Sequence, residues 1–475
     1  MNRHWHPASP RPLTRRELLR RSSAGFGSLA LASLLAEEGR AAEGSRRHPL
    51  APQPPHFPAR AKRVLFLFMH GGPSQIDTFD YKPLLTRDHG KPLPFARPRV
   101  VSSPTGNLLK SPWSFQQYGQ SGLWVSELFP QVARHADELC VIHSMHGSNS
   151  RHGGALLELH TGSDTFVRPS LGSWIVYGLG TENQNLPGFV TICPTLTHGG
   201  VNNFSSAFLP AVYHGTPLGN ASTPADQAQI PFIRNTEVPR ELQELELQRI
   251  QALNRGHLST RSGDRALEGR IESFELAFRL QSAAPELQDL SGESEAIRKL
   301  YGMDQPKTRQ FGHQCLMARR FLERGVRFVQ VTHSYKWDQH EALRRDHASN
   351  AAEVDQPIAG LLTDLKSRGL LEDTLVLWGG EFGRTPTAQG ADGRDHNPEG
   401  FTMWLAGAGV KPGLRFGATD DYGYYAVENK VHLHDLHATL LHLLGLDHER
   451  LTYRHAGRDF RLTDVHGRVV KGILA

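Results

Sequence analysis

Short apolar runs alternate with amphipathic segments along most of the chain. Residues 63–69, RVLFLFM, form a continuous apolar run that ends in HGGPS. This is the pattern of a strand buried on both faces that runs into a glycine-rich loop. Runs of the same kind at 139–143, 188–193, 326–332, 374–378 and 402–406 predict further buried strands. Helical periodicity fills the intervals at 126–137, 153–161, 170–179, 312–324 and 355–368, and 439–444 reads as the core of one more helix. The alternation predicts an α/β fold, a mostly parallel sheet covered by helices on both faces. Residues 237–300 break the rhythm: VPRELQELELQRIQALNRGHL and RALEGRIESFELAFRLQ are charged amphipathic helices with no strand between them. They predict a helical insertion lying on the α/β core.

Charge changes the picture at one end only. The chain carries a formal net charge of +5, but residues 1–42 contain seven Arg, no Lys and three Glu. The remainder is close to neutral, which excludes the basic footprint of a nucleic-acid-binding protein. The skew has a local reason. Arg15 and Arg16 precede Leu18-Leu19, a weakly apolar stretch over 24–36 and small residues at Ala41-Ala42. That is the layout of a twin-arginine export signal cleaved near Ala42. The apolar stretch is too short and too interrupted by Gly and Ser to be a stable membrane span. Periplasmic or extracellular localisation follows as the expectation. Residues 43–60 are Pro-rich and predict an extended linker, leaving 61–475 as the folded domain. Cys140, Cys193 and Cys315 sit in apolar surroundings and predict buried free thiols, with one bridge left open.

In open α/β sheets, ligands bind at the carboxyl ends of the strands. His70, Asp77 and Asp80 follow the first predicted strand, and His146, Ser148, Ser150 and His152 follow the second. Asp338 and His340 follow 326–332, and Glu381 and Arg384 follow 374–378. Asp395 and His396 precede 402–406. Imidazoles and carboxylates converging on one edge are the donor set of zinc and other divalent hydrolytic metals. Each of these residues alone reads as readily as a hydrogen-bonded loop residue; their convergence favours a metal site.

LFLFMHGGPSQIDTFDYKP, RHGGALLELHTG, KWDQH, GGEFGRTP, GRDHNPEGFTMWLAGAGVKPG and HDLHATLLHLLGLDHERLTYRHAGRDFRLTDVHG together resemble the bacterial domain-of-unknown-function family 1501. That family is grouped by fold with alkaline phosphatases and sulfatases. The resemblance implies a metal ligand at the end of the first strand, here His70 with Asp77 nearby, and a second pair at Asp338 and His340. It sets Glu381 and Phe382 on the family's later Asp-His pair and His396 on its last histidine. It also implies a nucleophile at a helix start nine residues before a Thr-Gly, and the count from Thr161-Gly162 lands on His152. The residue there is an imidazole, and the sulfatase signature is missing. His152 could be ligand, acid/base or covalent nucleophile, with the first two favoured. Ser150 or Ser148 could supply a hydroxyl, or a metal-generated hydroxide could attack directly. Arg384 is the candidate clamp for a tetrahedral anion.

The sequence thus predicts an exported metal-dependent hydrolase of phosphate or sulfate esters, small-molecule or glycan, using Zn, Ca or Mg. Two alternatives stand beside it: a non-catalytic metal-containing binding protein for anionic or sulfated glycans, and a phosphomutase-type isomerase. Oligomeric state is left open.

Overall fold

A computed structural model describes residues 49–475 apart from 97–105, 232, 234–236 and 262–263. The export signal at 1–42 and the first part of the linker, 43–48, lie outside the described residues. Nine strands build the central sheet: β1 (Arg63–Met69), β2 (Leu139–His146), β3 (Phe189–Ile192), β4 (Thr216–Leu218), β5 (Phe328–His333), β6 (Thr374–Gly379), β7 (Phe401–Gly407), β8 (Leu414–Phe416) and β9 (Val431–His432). Their order is β8-β2-β7-β6-β1-β5-β3-β4, with β9 also pairing β2. Every pairing is parallel except those of β7, which runs antiparallel to both β2 and β6.

The central strands are apolar at consecutive positions because both of their faces are covered. All of β5 and β6, and β1 beyond Arg63, are buried. Strands with one wet face would alternate instead. The covering helices include α1 (His152–Thr161), α2 (Leu171–Leu179), α6 (Arg309–Glu323), α7 (Leu343–Ser367) and α8 (Leu433–Leu443). The segment 237–300 forms α3 (Arg240–Ser259), α4 (Arg265–Gln288) and α5 (Glu295–Leu300), with no strand among them. The buried stripe Leu276, Leu280, Ala284 and Leu287 on α4 faces the core, whereas α3 buries none of its residues.

Two local expectations are corrected. The stretch 126–137 is not an α-helix. A strand, Leu123–Ser126, leads through Pro130 into a 3-10 turn at Val132–Glu138. The Asp355 carboxylate accepts from the amides of Gln131 (2.9 Å) and Val132 (2.8 Å) and holds that turn. The described end of the Pro-rich segment is docked rather than free. Leu50 is buried in the core, Gln53 donates to the Leu179 carbonyl, and His56 and Phe57 donate to that of Gly445. The three cysteines are buried and unbridged, and burial pushes the thiols of Cys140 and Cys193 up to about 12. No helix among the described residues is long and apolar enough to cross a membrane.

Candidate metal centre

His70 leaves β1 into Gly71 and Gly72, both at positive φ (119° and 81°). A Cβ on Gly71 would stand 2.7–2.9 Å from the backbone of Trp337 and Asp338, so only glycine lets the β1 and β5 exits approach this closely. The Trp337 amide donates to the His70 carbonyl (3.2 Å), and the Gly71 amide donates to both oxygens of Glu381, at 3.1 and 3.2 Å. Three neighbouring strand exits are thereby fixed to one another through backbone groups. His152 enters from the first turn of α1, and His396 from a short strand (Arg394–Asn397) just before β7. Because β7 alone runs backwards, a residue preceding it reaches the edge that the others reach by following their strands.

His152 is bracketed by two carboxylates, with Nδ1 2.6 Å from Glu381 Oε1 and Nε2 3.3 Å from Asp338 Oδ2. Burial would lower its pKa, but its bonds to Asp338 and Glu381 outweigh burial and hold it above the usual histidine value. Burial raises the pKa of Glu381, yet His152 and the nearby His70 bring it down to about 2. Asp338 is held far below the ordinary carboxylate range: against its burial work His152, His340, His396 and Arg384. Its Oδ1 lies 2.5 Å from Arg384 Nη2, 2.9 Å from His340 Nε2 and 3.1 Å from His396 Nε2.

Two triads satisfy the distances a single cation requires: His70, His152 and Glu381, and His152, Asp338 and His396. Their chemistry also fits one. His70 is fully buried, both its ring nitrogens lack a hydrogen-bond partner, and burial lowers it to about 4, keeping it neutral. Buried polar groups are almost always satisfied, and a neutral imidazole with no partner is a ready metal ligand. His396 Nδ1 lies 2.7 Å from the Ser150 carbonyl and so carries the proton. The neutral ring, favoured by burial, then points the Nε2 lone pair at the Asp338 oxygen. A backbone carbonyl that fixes the far nitrogen is the usual outer support of a metal-bound histidine.

The expected site residues divide accordingly. His70, Asp338, His340, Glu381, His396 and His152 converge. Asp77 does not: its carboxylate is buried against Arg394, at 2.7 and 3.1 Å, and accepts from Ser74 Oγ at 2.5 Å. Its helix turns it away from the His70 ring and into an internal ion pair. Arg384 is at the site, but its guanidinium is bound to backbone carbonyls and Asp338. Nε donates to Gly72 O (3.0 Å), Nη1 to Arg394 O (3.2 Å), and Nη2 to Gly71 O, Trp337 O and Asp338. Its fork is engaged in holding three loops together, so it is a positioning residue rather than an anion clamp. Ser150 contributes its carbonyl, beneath His396. His152 Nδ1 is bound to Glu381, while Nε2 faces Asp338 at 3.3 Å without a hydrogen bond.

Two participants escaped the sequence reading. His198, in the loop after β3, stacks on His152 with ring centroids 5.0 Å apart and lies 5.6 Å from His70. The loop after 188–193 also brings a histidine to this edge, and the same rule would have found it. Tyr335 packs 4.7 Å from His70 and donates to Asp338 Oδ2 at 2.5 Å. It is partly exposed and forms the solvent side of the cluster.

The family model described as "Protein of unknown function (DUF1501)" matches residues 61–474. The chain belongs to this family. Solved structures similar to this DUF1501 chain are members of the alkaline phosphatase and sulfatase superfamily. The PsFucS1 sulfatase from Pseudoalteromonas sp. is 13% identical, with 92% of this chain and 76% of that one covered at a TM-score of 0.39. A protein in the alkaline phosphatase superfamily from Vibrio parahaemolyticus is 11% identical, with 90% and 74% covered at 0.38. The alkaline phosphatase from the Antarctic bacterium TAB5 is 9% identical, with 82% and 99% covered at 0.35. Likeness of this extent transfers no chemistry. A search of curated proteins finds no match.

Proposed function

We propose that the chain is a metal-dependent hydrolase of phosphate or sulfate esters. The observation that carries this is the set of buried neutral imidazoles and ionised carboxylates at the sheet edge, above all the unpartnered ring of His70 beside Glu381. His70, Glu381, Asp338 and His396 would hold a divalent cation of the zinc, magnesium or calcium class. Such an ion supplies Lewis-acid polarisation of a phosphoryl or sulfuryl oxygen. The residues around it have separate tasks. The Glu381 carboxylate, bound to the Gly71 amide, stays ionised, and the Ser150 carbonyl orients His396. His152, charged between Glu381 and Asp338, holds a proton that it can pass to a leaving oxygen. His198 and Tyr335 wall the site on its solvent side. The ester class comes from the motif resemblance rather than from these distances.

One observation favours a second reading, a non-catalytic binder of anionic or sulfated glycans: the position at which the motif resemblance expects a nucleophile holds a histidine whose two nitrogens face carboxylates. A single experiment addresses both. Purified full-length protein is loaded with zinc, magnesium or calcium, its metal content measured, and its turnover followed on a panel of phosphate and sulfate esters. Glu381→Gln and His70→Ala serve as controls. The hydrolase reading expects the metal of this site and turnover to be lost together in both variants. Metal content equal to the parent's in both variants sinks the site, and stoichiometric metal without turnover of any ester leaves the binder.

A further inference from the structure

Asp80 follows β1, yet it belongs to neither of the triads at the metal centre. It lines instead a separate cleft of about 320 Å³, together with Tyr81, Trp124, His143 and Arg415. We infer that this cleft binds one saccharide ring bearing a sulfate or carboxylate group. The site shares no residue with the metal centre and does not rest on the proposed activity.

Strand register brings its polar groups to one side of the sheet. Arg415 on the edge strand β8 pairs with Val141 on β2, and His143 stands two residues further along β2. Residues two apart on a strand share a face, so Arg415 and His143 lie on the same one. Opposite them Tyr81 packs between Phe115 and Trp124, with ring centroids 5.1 and 4.6 Å away, and builds an aromatic wall. Tyr81 and Trp124 are only half-buried.

Two side chains point to a ligand. His143 is 9% exposed and neither of its ring nitrogens has a hydrogen-bond partner; Nδ1 stops 3.7 Å from Asp80 Oδ1. Buried polar groups are almost always paired. Burial lowers the His143 pKa and keeps the ring neutral, with one nitrogen to donate and one to accept, which suits a hydroxyl. The second is Arg415, which is exposed and has no hydrogen bond or ion pair among the described residues. Asp80 does not balance it. Its Oδ1 lies 3.1 Å from Lys82 Nζ and its Oδ2 accepts from the Thr419 hydroxyl, so its charge is already spent. Arg415 therefore gives the cleft a net positive charge.

These groups select the ligand. The Tyr81 hydroxyl and the Trp124 indole nitrogen also make no hydrogen bond among the described residues, so donors from four residues surround the aromatic wall. A flat aromatic anion would use the rings and Arg415 but leave His143 unpaired. A saccharide offers a C–H face to the rings and hydroxyls around its edge, the pairing for which Tyr and Trp combine an apolar body with a polar tip. The guanidinium fork matches a carboxylate or sulfate. The volume stands at the small end of the roughly 300–1,000 Å³ of ligand pockets, which limits the occupant to about one ring.

The test is isothermal titration calorimetry of the purified full-length protein with galactose monosulfate and with glucuronate, against galactose and inorganic sulfate. At least one charged sugar should bind saturably, one to one, and more tightly than either control; the two arms tell sulfate from carboxylate. Arg415→Gln, at an exposed and unpaired side chain, should weaken that binding about tenfold or more, the worth of a charge-assisted hydrogen bond. Trp124→Ala should abolish it. Glu381→Gln should leave the Arg415-dependent binding intact, because the metal centre lies elsewhere. Parental affinity in Arg415→Gln overturns the site, as does disappearance of the binding in Glu381→Gln. Inorganic sulfate bound as tightly as the sugars, or no saturable binding of either charged sugar, also overturns it. Loss of ester turnover in Glu381→Gln with sugar binding retained bears on the hydrolase reading alone.

Discussion

Asp77→Asn separates a buried ion pair from a metal ligand. Both side chains of the Asp77–Arg394 pair are fully buried, and the guanidinium meets the carboxylate through two nitrogens. The amide preserves volume and the contact with Ser74 but leaves the Arg394 charge facing no anion. Removing one partner of a buried pair costs about 3–5 kcal/mol. The carbonyls of Thr385 (3.2 Å) and Leu109 (3.0 Å) also accept from Arg394 and place the cost toward the lower end. With an unfolding entropy of about 2.1 cal/mol/K per residue, a unit of this length should lose roughly 3–6 °C in Tm. Metal content should stay at the parental value, since the pair lies outside both triads. Burial raises the Asp77 pKa, but Arg394 outweighs it and the net shift is downward. The stabilisation is therefore present above the unfolded carboxyl pKa and lost as pH falls through the folded one, so the deficit should narrow in strong acid. Differential scanning calorimetry and metal analysis on one preparation decide the matter. Loss of metal at unchanged Tm would falsify the ion-pair assignment and restore Asp77 as a ligand.

Arg384→Lys should lower Tm by several degrees, because a lysine cannot span the carbonyls of Gly71, Gly72 and Trp337; a raised KM for an anionic ester at unchanged Tm would instead make the guanidinium a clamp. Glu353 is bound by Lys336 (2.6 Å) and His333 (3.0 Å), which override burial and bring it from 4.5 to about 2. The Tm gap between the parent and Glu353→Gln should be constant at neutral pH and close as pH falls from 4.5 toward about 2; a gap that widens in acid contradicts the assignment. We further propose twin-arginine export. Lys at both Arg15 and Arg16 should leave an uncleaved precursor in the cytoplasm, and unchanged processing of that variant would remove the proposal.

Much of the sheet was legible because its strands are covered on both faces, which forces uninterrupted apolar runs such as RVLFLFM. The short edge strands β4, β8 and β9 carry no such run and left no signal. His70, Asp338, Glu381 and His396 were found by one topological rule, and its incomplete application explains why His198 was missed. Asp77 was misplaced because seven residues from His70 in sequence says nothing about which way a one-turn helix points a carboxylate. Arg384 was misread for a related reason. Its residue type suits an anion, and only the packed loops show that backbone carbonyls already occupy its donors.

The placement of β1 at the middle of the sheet has a consequence for biosynthesis. Its two partners are β5, beginning at Phe328, and β6, beginning at Thr374. At about 5–20 residues per second, a ribosome needs on the order of 15–50 s after completing β1 to deliver even the first of them. Throughout that interval VLFLFM has two unsatisfied edges and two bare apolar faces, the profile of an aggregation-prone segment. Nascent chains of this protein should therefore depend on a holding chaperone from early in translation, and shortening the delay by circular permutation should relieve that dependence.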